Sequence, residues 1–218
     1  MKQLLIATTN PAKLEELKIG LRELENLGIK LISLNDVGVE KYPEETGKTF
    51  QENSLLKAKF YGKLTSLPTV ADDGGLIIPY LGNGPGVRSR RWPGYETSDE
   101  ELINYTLLHL KGVKLADRTA YLETCVTFYS EVHPRGVIQD KPLSHPGGET
   151  IFSEQEKIKG HIAEIPTGRP TNGYPFRALF IVDEFNKYYD ELTPEEHDKI
   201  NHRLKALKRL ANKILSVL

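Results

Sequence analysis

The apolar residues of the N-terminal segment change period twice within 34 positions, and few folds accommodate that. Leu4-Leu5-Ile6-Ala7 is a continuous apolar run, the pattern of a buried strand. Asn10 and Pro11 follow, a good N-cap and a good first helical residue. Leu14, Leu17, Leu21 and Leu24 then mark one helical face, and Gly28 stops the helix. Leu31-Ile32-Ser33-Leu34 reads as a second strand. Beyond an acidic loop over 35–48, Thr49-Phe50-Gln51-Glu52 has the form of a capping box and opens a second helix. Thr69-Val70-Ala71 reads as a third strand, and Ser98-Asp99-Glu100-Glu101 opens a helix to about Leu110. Strands and helices alternating in this way predict an α/β fold.

The second half is less regular. Thr119 to Tyr129 alternates, with Ala120, Leu122, Thr124, Val126 and Phe128 on one side, so a long strand is expected. Glu149 to Phe152 and Ile158 to Ile165 suggest a hairpin, and Phe176 to Val182 a further strand. Thr193-Pro194-Glu195-Glu196 starts a helix, and Asn201 to Leu215 forms a last amphipathic one carrying Leu204, Leu207, Ala211 and Ile214. No repeat or linker divides the 218 residues, which suits one large domain or two lobes around a continuous sheet. The net charge of −1 gives no global field toward nucleic acid or membrane, so any anion site must be a local concentration of positive groups. Cys125, the single cysteine, rules out an intrachain disulfide and reads as a buried, inert thiol. No apolar stretch reaches transmembrane length, and Met1 to Ala7 is too short for a signal peptide core, so a cytoplasmic protein is expected.

Ala71-Asp72-Asp73-Gly74-Gly75-Leu76 places two adjacent carboxylates before two glycines. The pattern reads as a strand ending in a tight acidic turn. Adjacent like charges are tolerable with a cation beside them, and oxygen ligands suit Mg²⁺; a plain surface turn has the same composition. Lys13 sits in the first turn of a helix, where free N–H groups and the dipole favour an anion. A cation there opposes the dipole, and a bound phosphate would reverse that balance. Glu44 and Glu45 lie upstream of the second helix, on which Asn53 and Lys57 share a face; Glu52 reads as the cap alone. Arg88-Ser89-Arg90-Arg91-Trp92 joins three arginines to an indole, a combination that suits phosphate and a stacked base, RNA, or a dimer contact. His202-Arg203 opens the last helix, again a cation pair where an anionic partner is expected. His145, His161 and His197 have no zinc-like spacing and read as ordinary surface or structural residues.

Several ordered motifs resemble one family. They are Ala7-Thr8-Thr9-Asn10-Pro11-Ala12-Lys13-Leu14-Glu15-Glu16, Glu45-Thr46-Gly47-Lys48-Thr49-Phe50-Gln51-Glu52-Asn53 with Lys57-Ala58, Ala71 to Leu76, Leu81-Gly82-Asn83-Gly84-Pro85-Gly86-Val87, and His202-Arg203 with Lys205-Ala206-Leu207. The sequence resembles the Ham1-like inosine/xanthosine triphosphate pyrophosphatases over nearly its whole length. The resemblance implies one Ham1-like domain over 1–218: an elongated mixed β-sheet with flanking helices and two lobes around a central nucleotide cleft. It also implies a homodimer and Mg²⁺-dependent hydrolysis of deaminated purine triphosphates such as ITP, XTP and dITP to monophosphate and pyrophosphate. By motif position, Asp73 would be metal ligand and general base, with Glu44 or Glu45 completing the metal site and Asp72 beside it. Thr8, Thr9, Asn10, Lys13, Lys57 and Gly74 would face the phosphates, and Tyr174, His202 and Arg203 the base.

The sequence departs from the family pattern at several points. Gly74 stands where Ser is usual, and Thr8-Thr9-Asn10 where Thr-Gly-Asn is usual. Asn172-Gly173-Tyr174-Pro175-Phe176-Arg177 replaces a Phe-Gly-Tyr-Asp-Pro motif; Asn201 replaces a Ser, and His197 a Lys. Most of these changes fall in the base-recognition half. Two alternatives follow: a pyrophosphatase for another modified nucleotide, or a nucleotide-binding sensor with lost turnover. An RNA-binding module built on Arg88 to Trp92 fits the near-neutral charge poorly.

Overall fold

The computed structural model describes residues 2–131 and 148–217, and His145 lies outside them. Strand β1 (Lys2–Ala7) leads into helix α1 (Pro11–Asn26), which returns to β2 (Ile29–Ser33). The two strands pair in parallel, as a helical crossover requires. Helix α2 (Phe50–Thr65) leads to β3 (Thr69–Ile78), which pairs in parallel with the other side of β1. From there the sheet is antiparallel: β3 pairs with the short β4 (Gly84–Pro85) and with β5 (Thr119–Glu131). It continues through β6 (Glu149–Ile162), β7 (Phe180–Val182) and β8 (Lys187–Tyr188). The strand order is β2-β1-β3-β5-β6-β7-β8, so the expected mixed α/β sheet is present. Helix α3 (Asp99–His109) and the C-terminal helices α4 (Pro194–Ile200) and α5 (His202–Leu215) complete the fold.

The long strands β3 and β5 pass through separate hydrophobic cores. At one end, Leu17, Leu21 and Leu24 of α1 and Leu207, Leu210 and Ile214 of α5 pack on Val70, Val126 and Phe128. On the opposite face of the same end, Ala58 and Tyr61 of α2 cover Leu5, Ala71 and Tyr129. At the other end, Leu76, Ile78 and Leu122 pack against Leu102 of α3 and against Phe176 and Phe180. The double aspartate falls between Ala71 and Leu76, where one core gives way to the other.

Three expectations are corrected here. The Asp72–Gly75 segment is not a turn: β3 runs unbroken through it, paired residue for residue with Glu123 to Val126 of β5. The glycines serve close approach instead. A Cβ on Gly74 would lie 2.5 Å from the Glu123 carbonyl oxygen, and one on Gly75 would lie 2.0 Å from Ser89 Oγ. The hairpin expected over 149–165 is the single strand β6. Its polar middle, Ser153 to Lys157, pairs with β5, and Glu154 and Glu156 bind Arg209 of α5. The strand expected from Phe176 begins only at Phe180, because Pro175–Ala178 forms a 3-10 turn.

Candidate active site

The C-terminal end of β1, the first turn of α1, the middle of β3, the exposed side of α2 and the start of α5 enclose a cleft of about 760 Å³. Alternation along β3 sends its two aspartates to opposite faces. Asp72 points to the side of α1 and α5. Lys13 Nζ stands 3.1 Å from its Oδ1, and Arg203 Nε donates to its Oδ2 at 3.0 Å. Thr124 Oγ1, on β5 opposite Gly74, donates to Asp72 Oδ2 at 3.3 Å. Burial alone would raise the Asp72 carboxyl, but Lys13 and Arg203 hold it far below the usual range.

Asp73 points to the side of α2. Lys57 Nζ lies 3.0 Å from Asp73 Oδ1 and 2.9 Å from Glu45 Oε1, so two carboxylates converge on one cationic point. Asp73 Oδ2 is buried with no hydrogen-bond partner among the described residues. Burial pushes the Asp73 carboxyl up by more than Lys57 brings it down. Burial would lower Lys57, yet Asp73 and Glu45 hold it above its ordinary value.

The far end is a buried charge network. Arg203, only 4% exposed, reaches Glu16 as well as Asp72, and Arg177 Nη2 donates to the other Glu16 oxygen at 2.7 Å. Burial raises the Glu16 carboxyl, but Arg203 and Arg177 outweigh it and hold it at about 2. Arg177 Cζ lies over the Tyr174 ring, 3.5 Å from its centroid, and 4.7 Å from that of Tyr189. Burial keeps the Tyr174 phenol protonated, and burial beside Arg203 keeps His202 neutral. His202 Nδ1 is buried without a partner among the described residues.

Thr8, Thr9, Asn10, Lys13, Glu45, Lys57, Asp72, Asp73, Gly74, Tyr174, His202 and Arg203 all line this one cleft. Glu44 does not: it is exposed on the preceding loop, while Glu45 turns inward. The anion site expected from open N–H groups at the start of α1 is corrected. Asn10 Oδ1 already accepts from Ala12 and Lys13 at 2.9 and 3.2 Å, so positive charge here comes from side chains. The anionic partners expected for Lys13 and Arg203 are the protein's own carboxylates. Trp92 is not open for stacking on a base, since it packs against Tyr105, His109 and Phe176. Arg90 and Arg91 do reach the cleft, held by Asp99 and Glu45. His161 and His197 are structural, bonded to Asp183 and to Tyr189.

Sequence reasoning passed over Glu16, Arg177 and Thr124. Glu16 carried a usable signal, because it stands three residues after Lys13 and shares its helical face. Arg177 and Thr124 carried none, since their partners come from distant segments.

An α/β sheet whose mid-strand carboxylates meet lysines from two helices defines a cleft suited to an anion and a cation together. The chain belongs to the Ham1 family, whose model matches residues 4–213. It is 37% identical over 211 residues to the dITP/XTP pyrophosphatase of Bacillus subtilis, covering 97% of this chain and 96% of that one. Among solved structures, a HAM1 protein from Coxiella burnetii superposes with a TM-score of 0.79 at 31% identity, covering 100% of both chains. The nucleoside-triphosphatase / dITP/XTP pyrophosphatase of Mycobacterium abscessus gives a TM-score of 0.70 at 35% identity, covering 95% of this chain and 98% of that one.

Proposed function

We propose that this protein is a pyrophosphatase that hydrolyses deaminated purine nucleoside triphosphates, of the dITP and XTP type, to the monophosphate and pyrophosphate. The observation that carries the reading is the convergence of Asp73 and Glu45 on Lys57, with Asp73 Oδ2 buried and unpartnered. The names of the relatives that match nearly end to end support the substrate class.

The donor set fits Mg²⁺. Among the described residues no three His, Cys, Asp or Glu side chains group closely enough to cage a metal. Mg²⁺ rarely needs such a cage: one or two carboxylates, waters and substrate phosphates complete its octahedron. Glu45 and Asp73 would hold it. Asp72, with both oxygens facing cations, serves better as the counter-ion that fixes Lys13 and Arg203. When bound, the ion would neutralise phosphate oxygens and lower the pKa of water.

The chain's own residues do the rest. Lys13, Lys57, Thr8 and Asn10 would face the triphosphate, with Thr9 and Gly74 on the same wall. A water oxygen attacks the α-phosphorus, and its proton passes to Asp73. The bond from the α-phosphorus to its bridging oxygen breaks, and pyrophosphate leaves with its charge balanced by the lysines. Tyr174, His202 and Arg203 would border the base. The same reading expects one domain, a homodimer and action in the cytoplasm; no described helix is long and apolar enough to cross a membrane.

The test is pyrophosphate release from ITP, XTP, dITP and the four standard triphosphates with Mg²⁺. Release from the deaminated purines above the standard ones is expected. Single-phosphate release would move the attack off the α-phosphorus, and no release would leave a nucleotide-binding protein without turnover.

A further inference from the structure

Arg177 is a largely covered guanidinium, its side chain 14% exposed, with donors to spare. Only one of its nitrogens, Nη2, has a hydrogen-bond acceptor among the described residues, in Glu16. A guanidinium carries five N–H donors and no acceptor. The unmatched N–H groups are not sealed off, because Arg177 lines the main cleft and also a smaller cavity of about 330 Å³ beside Tyr189 and Asp190. The Glu16 bond and the Tyr174 ring, whose centroid is 3.5 Å from Cζ, hold the fork in place. By contrast, the Arg203 guanidinium is engaged by Asp72, Glu16 and the Tyr174 hydroxyl. A ligand that enters between Tyr174 and His202 therefore meets a fixed, donor-only fork with free positions.

A purine shows different groups on its N3–C2 edge. Xanthine has a carbonyl at C2 and loses the N3 proton readily, which leaves N3 and O2 as paired acceptors spaced like a carboxylate. Hypoxanthine has hydrogen at C2 and offers N3 alone. Guanine has an amino group there, a donor facing donors. A guanidinium fork binds paired acceptors bidentately, and leaves a buried donor unmatched against an amino group.

We propose that Arg177 makes this cleft selective for a 2-oxo purine, the xanthine base, over purines with hydrogen or an amino group at that carbon. The proposal rests on the reading of the cleft as a nucleotide site with the base at the Tyr174 end. In sequence, Arg177 directly follows Asn172 to Phe176, which replace the family's Phe-Gly-Tyr-Asp-Pro pattern with Pro175 at the acidic position.

Two measurements test it. Pyrophosphate release should give kcat/KM for XTP about tenfold above ITP, with GTP lowest, since one good bidentate pair discriminates by roughly that factor. Arg177→Lys keeps a positive charge beside Glu16 but loses the fork, and should bring the XTP-to-ITP ratio within about threefold. Calorimetric titration of xanthosine and inosine monophosphates should show the same order without turnover. An XTP-to-ITP ratio near one in the unaltered enzyme, or an unchanged ratio in a folded Arg177→Lys variant, overturns the proposal while the pyrophosphatase reading stands. Preferential xanthosine monophosphate binding without turnover of any triphosphate supports the proposal and sinks that reading instead.

Discussion

At the phosphate end of the cleft, the functional groups sit on regular secondary structure. Asp72 and Asp73 occupy successive positions of β3, paired with β5 and directly following the stretch paired with β1, and Lys13 and Lys57 project from helices packed on opposite faces. At the base end, Arg203, Arg177, Glu16 and Tyr174 hold one another, across α1, α5 and a 3-10 turn. The first end follows the family pattern closely and the second departs from it. The contrast has a physical origin. Groups fixed by backbone pairing cannot move without moving the sheet, whereas a side-chain network can exchange members while its charges still balance. Chemistry belongs at the rigid end, and preference between substrates can drift at the other.

The sharpest way to break that comparison is at Asp73. If it takes the proton from water, Asp73→Asn should lower kcat by about 10²–10⁴ with a smaller change in KM. Asp73 must be unprotonated both to take that proton and to hold Mg²⁺, so kcat/KM of the unaltered enzyme should also fall as pH is lowered. Pyrophosphate release across a pH series reads both. An Asn variant that retains its rate would show that the rigid end does not carry the chemistry.

The next effect tests the base end as a structural unit. Glu16 is 14% exposed and its carboxyl is held at about 2, against 4.5 when unperturbed. A carboxylate depressed in the folded state contributes stability that is fully present above the unfolded value. That contribution is lost as pH falls from about 4.5 toward 2, and it is on the order of 3 kcal/mol. Glu16→Gln should remove this part of the acid dependence and destabilise the protein at neutral pH, by leaving two buried guanidinium groups side by side. Urea unfolding at several pH values checks it. A variant as stable as the parent at pH 7 would mean that the network does not hold that end together.

The same division decides what was legible in the sequence. Periodic leucines and caps disclosed α1, α2, α3 and α5, because helices buried on one side repeat their signal every turn. Ordered motifs disclosed the residues of the phosphate end, with Glu45 separated from Glu44 only by the fold. The double-glycine segment reads as a turn because Asp and Gly are turn formers locally, and only the register with β5 reveals a strand. Ser153 to Lys157 looked like a hairpin tip because its partners, Arg209 and Lys213, lie on the last helix. Arg177 and Thr124 act through partners far away in sequence, and one chain holds no local trace of such pairs.

Gly74 gives the smallest and most specific test, because it is a departure on the paired strand of the rigid end. Restoring the family's serine would be expected to return a hydroxyl to the phosphate wall. The spacing of the strands argues otherwise. The Cβ of any side chain at 74 would meet the Glu123 carbonyl oxygen at 2.5 Å and Thr124 Cα at 3.0 Å, both backbone atoms of the paired strand. Thr124 Oγ1 would lie 3.2 Å from that Cβ, and it stands 3.3 Å from both Asp72 Oδ2 and the Asp73 carbonyl oxygen. The Thr124 hydroxyl is fully buried and committed to Asp72 and Asp73, so β5 presses on position 74 without adding a hydroxyl to the cleft wall. Gly74→Ser should therefore cost about 1–3 kcal/mol of stability, the usual range for overpacking, and should not raise kcat. Thr124→Ala in the same chain should not relieve that cost, because the closest atoms are backbone; the two losses should add within about 0.5 kcal/mol. Chemical unfolding of the two single variants and the double variant decides the matter. A neutral Gly74→Ser would show no constraint at 74, and a double variant more stable than Gly74→Ser alone would place it in the Thr124 side chain; either makes the rigid end as exchangeable as the other.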